Sequence, residues 1–316
     1  MTNIETYLHR LDWNRAPQGL YAPIAYTLEA GGKRLRPTLT LLANEMFGGR
    51  EEDVVPAALA LEVFHNFTLL HDDLMDNASV RRGRPAVHVR WNVNTAILSG
   101  DQMLIEAYAL LAKLPESKLP TVLRWFNRMA TEICEGQQYD VDFEQKEDVN
   151  LDDYLMMIRL KTSVLLATAL KIGAYMGGAE EHQQEALYQY GIHIGLAFQI
   201  QDDILDVYGD PKTFGKAIGG DILCGKKTYM LLTAFQHADA ATKKHLTDVL
   251  YDATVADEAK IHAVTDIYNR LNVRSVCEQV MAEHTQQALQ ILDTLPQNAA
   301  TQQLRQLAEQ LIVRQS

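Results

Sequence analysis

The sequence predicts an all-α protein that folds as a single large helical domain over residues 1–316. Apolar residues recur every three or four positions through long segments, which is the period of a helix with one buried face, and the strict alternation of strands is almost absent. Glycine pairs and prolines interrupt these segments, as expected for turns between helices. No Ser/Pro-rich linker, low-complexity tract or internal repeat divides the chain, so one domain is favoured over two.

The helical pattern runs through successive segments separated by turn residues. The predicted helices cover residues 22–29, 37–46, 54–71, 93–113, 119–135, 151–176 and 181–207. The turns fall at Gly31-Gly32, Gly48-Gly49, Pro115 to Pro120 and Gly177-Gly178. In the last of these helices, the spacing of Gly191 and Gly195 predicts close packing against a neighbour. From Thr228 onward the pattern has more Gln, Ala and Thr, which predicts peripheral helices with a narrower buried face.

The composition is that of an ordinary globular protein with a sizeable core. About 47% of the 316 residues are hydrophobic and 22% are charged, unlike disordered or fibrous chains. The 29 Lys and Arg residues against 41 Asp and Glu residues give a formal net charge of −12. This charge argues against a surface that binds nucleic acid or anionic lipid throughout, and an anionic substrate would need local cations or a metal.

The cysteines and the amino-terminal sequence indicate the cellular compartment of the protein. Cys134, Cys224 and Cys277 are odd in number and far apart, which predicts neither a disulfide framework nor a structural zinc site. The first residues lack the basic-then-apolar order of a signal peptide, and no apolar run approaches the roughly 18 residues of a membrane span. We therefore expect a cytoplasmic protein without a membrane span.

Two acidic clusters are the most informative feature of the sequence. His71–Asp76 has the sequence H-D-D-L-M-D and Gln199–Asp206 has the sequence Q-I-Q-D-D-I-L-D, each at the end of an apolar segment. On a helix the first and last aspartates of each cluster lie on one face, about 6 Å apart along the axis. Because like charges repel there and the negative end of the helix dipole adds to the cost, each cluster predicts a bound cation.

The type of ligand indicates which cation. Carboxylate oxygens without His or Cys suit Mg²⁺, which usually shares its coordination with phosphate oxygens and water. One cluster alone could equally be a solvated acidic helix end. The second copy favours metal binding at the mouth of an apolar interior. The candidate ligands are Asp72, Asp73, Asp76, Asp202, Asp203 and Asp206.

Basic residues accompany both acidic clusters. Gly31–Pro37 places three cations on a glycine turn that begins a helix, where backbone N–H groups and the positive helix end favour phosphate. Other cations follow the first and second clusters. The basic residues are Lys33, Arg34, Arg36, Arg81, Arg82, Arg84, Lys216, Lys226 and Lys227. Any one group could be an ordinary solvated turn, but their repetition predicts a metal-bridged phosphate flanked by Arg and Lys.

Together these motifs resemble those of the trans-polyprenyl diphosphate synthases, head-to-tail isoprenyl transferases of the farnesyl/geranylgeranyl diphosphate synthase family. The resemblance extends through Gly31–Pro37, Glu62–His65, both Asp motifs, Arg81–Gly83, Lys161–Thr162 and Gly215–Thr228. It implies a single all-α domain around a deep apolar cavity, usually dimeric, with the Asp motifs facing each other across the mouth of that cavity.

The resemblance also implies a role for each candidate residue. Asp72, Asp76 and Asp202 would bind three Mg²⁺ ions, with Asp73, Asp203 and Asp206 in support. Isopentenyl diphosphate would be bound by Lys33, Arg36, His65 and Arg82. The allylic diphosphate would be bound by Arg81, Lys161, Lys216 and Lys226, with Lys227 as an alternative to Lys226. The catalytic set would be Lys161, Thr162, Gln199 and Lys216.

The implied mechanism needs no protein nucleophile. Mg²⁺ and the basic residues would withdraw charge from the allylic diphosphate until its C–O bond ionises, and the double bond of isopentenyl diphosphate would attack the cation. A class I terpene cyclase is one alternative, but its second metal motif would be of N-S-E type. A non-catalytic regulatory subunit of a prenyl synthase is another, but such a partner would be expected to have lost aspartates from one cluster.

Product length is predicted from the residues before the first Asp motif. Phe67 lies five residues before Asp72, about 7.5 Å along a helix axis, and Phe64 lies nearly one turn deeper. The two rings could form a two-tiered floor that stops chain growth, or they could be ordinary core aromatics. With the small Thr68 beside Phe67, the pattern resembles short-chain enzymes that often stop at geranylgeranyl diphosphate; farnesyl diphosphate stays open because Phe64 is bulky.

Overall fold

The structure is a computed structural model that describes residues 4–210 and 218–313. The predicted all-α class is confirmed, because the described residues are helical apart from turns and one hairpin of two-residue strands. The three cysteines are all free thiols, in agreement with the absence of a predicted disulfide framework.

The chain divides into two compact units. The first comprises Met1–Asn127, Thr168–Leu187 and Asn298–Ala300, and the second comprises Arg128–Ala167, Tyr188–Gln297 and Thr301–Ser316. The first three boundaries fall inside helices rather than in linkers. The single domain over residues 1–316 stays a prediction.

The first part of the chain builds the unit that carries the first Asp motif. Its elements are α1 Ile4–His9, α2 Gln18–Glu29, α3 Leu35–Met46, α4 Glu51–Met75, β1 Val80–Arg81, β2 Arg84–Pro85, α5 Val87–Arg90 and α6 Val93–Leu111. Helix α4 is central, because it packs against both α3 and α6 while α2 packs against α6. Its interior face is almost completely buried, from Val54 to Leu70, which accounts for its length.

The remaining elements follow in order. They are α7 Leu119–Gln145, α8 Leu151–Ile158, a π-helical turn Arg159–Ser163, α9 Val164–Gly177, α10 Glu181–Tyr208, α11 Gly220–Leu223, α12 Tyr229–His237, α13 Ala240–Tyr251, α14 Asp257–Arg270, α15 Val273–Asp293 and α16 Ala299–Val313. Helix α8 begins with a capping box, in which Asn150 and Asp153 each accept a hydrogen bond from the other's backbone N–H. Helix α12 packs against α8, α14 and α15.

The structure corrects one predicted helix. Residues 151–176 are not a continuous α-helix, because the π-helical turn Arg159–Ser163 separates α8 from α9. At Gly136 the backbone of α7 approaches this turn so closely that an added Cβ would overlap the backbone nitrogen of Lys161. Such a turn holds one extra residue and is frequent at functional sites. Apolar periodicity does not reveal it, since the buried face continues on both sides.

One helix also changes the expectation about membrane spans. Among the described residues, α4 is long and apolar enough to cross a membrane by length and composition, with a mean hydropathy of 1.3. The sequence pattern hid this because Glu62, near the middle of α4, interrupts the apolar run. In α4, 67% of the apolar 18-residue stretch is buried inside the protein, as is usual for a core helix.

The predicted close packing is confirmed at Gly195 of α10. A Cβ at this position would lie 2.5 Å from Oγ and 2.6 Å from Cα of Ser163, in the π-helical turn. Similarly, a Cβ at Gly177 of α9 would lie 2.6 Å from the carbonyl oxygen of Asn44 in α3. Both helices therefore rely on a missing side chain to reach their neighbours.

Replacing Gly195 by alanine is expected to destabilise the protein. The added methyl group must displace the backbone of Ser163, and such overpacking costs about 1–3 kcal/mol. Gly19→Ala is the matched control, because Gly19 lies on an exposed helix with nothing within 4 Å of an added Cβ, and alanine there favours the helix. Urea unfolding of both variants measures the difference, and equal stability would contradict the packing role of Gly195.

Candidate active site

The first Asp motif lies at the end of α4. Helix α4 ends at Met75, and the backbone N–H of Asp76 donates to the carbonyl of Asp72 at 2.8 Å. Asp73 is buried, and its Oδ1 accepts hydrogen bonds from Nε of Arg81 at 2.8 Å and from Nη2 of the same guanidinium. Asp72 is half-buried and Asp76 is exposed. The middle carboxylate is therefore held by the protein, and the outer two are accessible to a ligand.

A short hairpin carries the arginines that follow this motif. Strands β1 and β2 pair with Val80 opposite Pro85 and Arg81 opposite Arg84. Arg82 and Gly83 form the two-residue turn with φ values of 52° and 73°, the left-handed geometry that tight hairpins require and that glycine favours. Successive side chains leave this turn in different directions, so Arg81 reaches Asp73 while Arg82 donates to the carbonyl oxygen of Gly31.

The glycine turn before α3 lies against Arg82. Gly31 and Gly32 have φ values of 78° and 133°, and a Cβ at Gly32 would lie 2.8 Å from Cζ of Arg82. Only a residue without a side chain leaves room for the guanidinium there. The predicted basic turn and the predicted basic hairpin are thus brought together in the structure.

One of the three cations of the glycine turn is not available to a ligand. Arg34 is 6% exposed, and its guanidinium donates to Glu62 and Glu5 at 2.8 Å each and to the carbonyl of Leu28 at 2.5 Å. The sequence groups Lys33, Arg34 and Arg36 as cations that could meet phosphate, but two carboxylates neutralise the charge of Arg34. The other two remain candidates.

Arg36, Arg82 and His65 form a positive site in the first unit. Nε of Arg36 is enclosed and has no hydrogen-bond partner among the described residues, and burial together with Arg82 lowers the Arg36 pKa to about 10. Burial, reinforced by the charges of Arg36 and Arg82, lowers the His65 pKa well below its usual range. At neutral pH the imidazole is uncharged and is exposed to the charges of both arginines, an arrangement that an anion would stabilise.

The proposed chain-length residues differ in burial. Phe64 is 1% exposed and its ring contacts those of Phe67 and Phe126, with centroids 5.5 and 5.2 Å apart. Phe67 is half-buried and its ring also contacts His71 at 4.9 Å. Thr68 is half-buried and donates its hydroxyl to the carbonyl of His65 at 2.8 Å. Phe64 is therefore a core residue, whereas Phe67 is accessible.

The second Asp motif, at the end of α10, has two of its three carboxylates buried and hydrogen-bonded to the protein. Asp203 is 3% exposed, and its Oδ2 accepts hydrogen bonds from the hydroxyl of Tyr154 at 2.5 Å and the backbone N–H of Tyr229 at 3.0 Å. Burial raises the Asp203 pKa to about 7, although these two hydrogen bonds lower it. Asp206 is buried and accepts from the backbone N–H of Asp221 at 3.1 Å. Asp202 is half-buried.

The π-helical turn presents the predicted catalytic residues in the second unit. Nζ of Lys161 donates to Oδ2 of Asp140 at 2.5 Å, and the hydroxyl of Thr162 lies 3.4 Å from Oε1 of Gln199. Gln199 Nε2 lies 3.4 Å from Oδ1 of Asp203. Thr162, Gln199 and the second Asp motif are therefore linked.

The lysines after the second motif are placed differently from one another. Nζ of Lys227 donates to the carbonyl of Phe143 at 2.5 Å, near the end of α7, whereas Lys226 is exposed. Lys216 lies outside the described residues. Sequence reasoning missed Tyr154, since a tyrosine at an apolar helical position carries no signal of its partner.

The donor set can be compared with what Mg²⁺ requires. Among the described residues, no group of three or more His, Cys, Asp or Glu is arranged to hold a metal ion by itself. The outer aspartates supply oxygen donors only, one or two per motif. This fits Mg²⁺, which is commonly bound by one or two carboxylates together with water and substrate phosphates.

Comparisons with known proteins agree with these motifs. A family model described as polyprenyl synthetase matches residues 17–268. A geranylgeranyl diphosphate synthase of Methanosarcina mazei is 46% identical over 223 residues, which cover 70% of this chain and 68% of that protein. A geranylfarnesyl diphosphate synthase of Natronomonas pharaonis is 38% identical over 316 residues, covering 94% of this chain and 91% of that one.

Solved structures show the same relationship. A crystal structure of a geranylgeranyl pyrophosphate synthase has a TM-score of 0.93 to this chain at 42% identity, and the match covers 100% of both chains. The match in fold thus accompanies the match in motifs over most of the sequence. The chain belongs to the polyprenyl synthetase family.

Proposed function

We propose that this protein is a Mg²⁺-dependent, short-chain trans-polyprenyl diphosphate synthase. It joins isopentenyl diphosphate head-to-tail to an allylic diphosphate. The observation that carries this proposal is the division of cations in the first unit. Arg81 is paired with Asp73 of the acidic motif, whereas Arg36 and Arg82 flank an uncharged His65 and form no ion pair within the described residues. Arg81, which pairs with the acidic motif, and Arg36 with Arg82, which do not, support binding of two diphosphate substrates.

The metal ions belong to the outer aspartates. Asp72, Asp76 and Asp202 would hold Mg²⁺, three ions by the family resemblance, and Asp73, Asp203 and Asp206 would support them. Bound Mg²⁺ neutralises diphosphate charge and so makes the diphosphate a better leaving group. The burial of Asp73, Asp203 and Asp206, in contrast to the greater exposure of Asp72, Asp76 and Asp202, supports this division between binding and supporting carboxylates.

The side chains of the protein would bind and orient the two diphosphate substrates. Arg81, Lys161, Lys216 and Lys226 would bind the allylic diphosphate and take up the charge that develops as its C–O bond breaks. The oxygens of Thr162 and Gln199 would stabilise the allylic cation through their dipoles. Lys33, Arg36, His65 and Arg82 would orient isopentenyl diphosphate so that its double bond attacks that cation, and the proton would pass to the departing diphosphate.

The structure favours Lys226 over Lys227 in this role. The ammonium group of Lys227 already donates to a backbone carbonyl of α7, and burial lowers its pKa. Lys226 is exposed on the segment between α11 and α12. We therefore assign the allylic diphosphate to Lys226.

The two alternatives receive no support from a specific observation. A terpene cyclase binds one diphosphate and would have no use for the positive site at Arg36 and Arg82. A non-catalytic subunit would not need complete Asp motifs, and both are complete here.

The product is proposed to be geranylgeranyl diphosphate, with farnesyl diphosphate as the shorter alternative. The accessible ring of Phe67 lies on α4, three residues closer to the first Asp motif than the enclosed ring of Phe64, and Thr68 is small. We propose that the growing chain meets Phe67 first, with Phe64 as the support beneath it.

A homodimer in the cytoplasm is proposed as the working form, without contacts to nucleic acid. Helix α6 leaves Leu98 and Ile105 58% and 59% exposed, seven residues and therefore two turns apart on one face. An exposed apolar face of this kind is suited to a second copy of the chain. The free thiols of all three cysteines are in keeping with a reducing compartment.

The proposed activity is tested by incubating the protein with Mg²⁺, isopentenyl diphosphate and dimethylallyl, geranyl or farnesyl diphosphate. We expect elongated products that disappear when the metal is chelated.

Asp72→Ala and Asp202→Ala should fold but lose about a hundredfold or more in turnover, because charge stabilisation by a metal is worth several kcal/mol. Asp148→Ala changes an exposed carboxylate outside both motifs and serves as the control. Near-normal turnover in both motif variants would refute the metal assignment.

Arg82→Ala and Arg81→Ala are expected to affect different substrates. Loss of a hydrogen bond to a charged group costs about 1.5–3 kcal/mol, so Arg82→Ala should raise KM for isopentenyl diphosphate about tenfold or more with little change for the allylic substrate. Arg81→Ala should show the opposite preference. Initial rates with each substrate varied measure this, and Arg84→Ala in the same hairpin is the control. Equal effects on both substrates would remove the distinction between the two sites.

Phe67→Ala is expected to lengthen the products by at least one isoprene unit. Removing an accessible ring deepens the space for the chain, whereas Phe64 is enclosed by its neighbours. Chromatography of dephosphorylated products gives the chain lengths. Phe235→Ala removes an aromatic ring that lines a different cavity in the second unit and should leave them unchanged. An unaltered distribution from Phe67→Ala would show that Phe67 does not stop growth.

A further inference from the structure

The carboxylate of Asp203 accepts a hydrogen bond from the hydroxyl of a buried tyrosine. Tyr154 of α8 is 1% exposed, and its hydroxyl donates to Oδ2 of Asp203 at 2.5 Å. The backbone N–H of Tyr229, at the start of α12, donates to the same oxygen at 3.0 Å. Two donors on one oxygen determine where the carboxylate lies and how it is rotated. The other oxygen, Oδ1, lies 3.4 Å from Nε2 of Gln199.

Packing alone does not explain the hydroxyl of Tyr154. A phenylalanine ring would fill the same space, and a buried hydroxyl costs free energy unless it is hydrogen-bonded. Its environment is otherwise acidic, because Asp221 and Asp140 act on it as well as Asp203. The hydroxyl therefore stays protonated and acts as a donor, and Asp203 is its acceptor.

We propose that Tyr154 is a positioning residue for the metal-binding end of α10. By holding Oδ2 of Asp203, it sets the rotation of the helix end and so directs the carboxylate of Asp202, the preceding residue, toward the diphosphate-bound metal. This inference rests on the proposed function, in which Asp202 binds metal and Asp203 supports it. Tyr154 touches neither substrate nor metal and acts only through Asp203.

The expected size of the effect follows from other metal sites. Hydrogen-bond partners that orient metal-binding carboxylates typically contribute ten- to hundredfold to metal affinity. The loss of one hydroxyl group should therefore appear in metal binding itself, before any measurement of turnover.

The experiment measures Mn²⁺ binding to the full-length protein in the presence of inorganic diphosphate. Mn²⁺ replaces Mg²⁺ because free Mn²⁺ is quantified directly by its electron paramagnetic resonance signal. Tyr154→Phe is expected to raise the Mn²⁺ dissociation constant about tenfold or more. Tyr190→Phe is the matched control, since Tyr190 is fully buried on α10 and its hydroxyl donates to the carbonyl of Leu304 at 2.7 Å. It should leave the constant within about twofold of the parent.

A double-mutant cycle tests whether Tyr154 acts through Asp203. In an Asp203→Asn background, Tyr154→Phe should cause no further loss of Mn²⁺ affinity, because the group that it positions has changed. An equal further loss would overturn the proposal. Unchanged Mn²⁺ binding by Tyr154→Phe would overturn it too, as would a Tyr154→Phe variant that fails to fold while Tyr190→Phe folds, since the hydroxyl would then be a core requirement.

Failure of the proposed function gives a different result. Parent protein that binds no Mn²⁺ with diphosphate, or Asp202→Ala that binds it as tightly as the parent, would refute the metal site and the role of Tyr154 with it. Loss of binding in Asp202→Ala together with normal binding in Tyr154→Phe would refute the role of Tyr154 alone.

Discussion

The middle aspartate of each acidic motif is bonded to the protein itself, and the rest of the site depends on this constraint. Carboxylates one and four positions apart at a helix end repel each other and the helix dipole. Asp73 is bound by the guanidinium of Arg81, and Asp203 by a tyrosine hydroxyl and a backbone N–H. The middle carboxylates are therefore held by the protein in both motifs, and Asp206 of the second motif also accepts a hydrogen bond from the backbone N–H of Asp221. Both motifs are thereby prepared to receive a cation.

The two motifs differ in how the middle charge is compensated. Arg81 forms an ion pair with Asp73 in the first motif, whereas Asp203 of the second motif accepts hydrogen bonds from a hydroxyl and a backbone N–H and is also affected by the charge of Lys226. Burial consequently raises the Asp203 pKa to about 7 despite two hydrogen bonds. A nearby cation would favour the ionised form of this carboxylate.

The cations of the first unit show the complementary arrangement. Arg34 is neutralised by Glu62 and Glu5 and contributes to the core. Arg36 and Arg82 repel each other, and burial together with their charges lowers the pKa of His65. Uncompensated positive charge costs folding free energy, and any anion that binds only the folded protein offsets that cost. Arg34 differs from Arg36 because it forms an ion pair with Glu62, which lies 28 residues after Arg34 in the sequence. Local spacing could not reveal it.

The same distinction explains what could be predicted from the sequence. Helix positions, the Asp motifs and the glycine close to Ser163 follow from period and spacing, which are local. The partner of Tyr154 lies 49 residues away and that of Lys227 lies 84 residues away, so two adjacent lysines with the same local signal take different positions. The π-helical turn was hidden because the apolar period continues through α8 and α9. Roles that depend on one distant partner need the structure.

Helix α4 carries both Asp72, which is proposed to bind metal, and Phe67, which is proposed to limit the length of the product. Phe67 and Asp72 lie on this one helix, which is buried along most of its length and packs against α3 and α6. At 1.5 Å per residue the separation of ring and carboxylate along the axis is determined by helix geometry, with no loop between them that could change it. The enclosed ring of Phe64 supports Phe67 from the next turn. If the chain grows from the diphosphate along α4, its length therefore depends on which side chain first projects from this rigid helix.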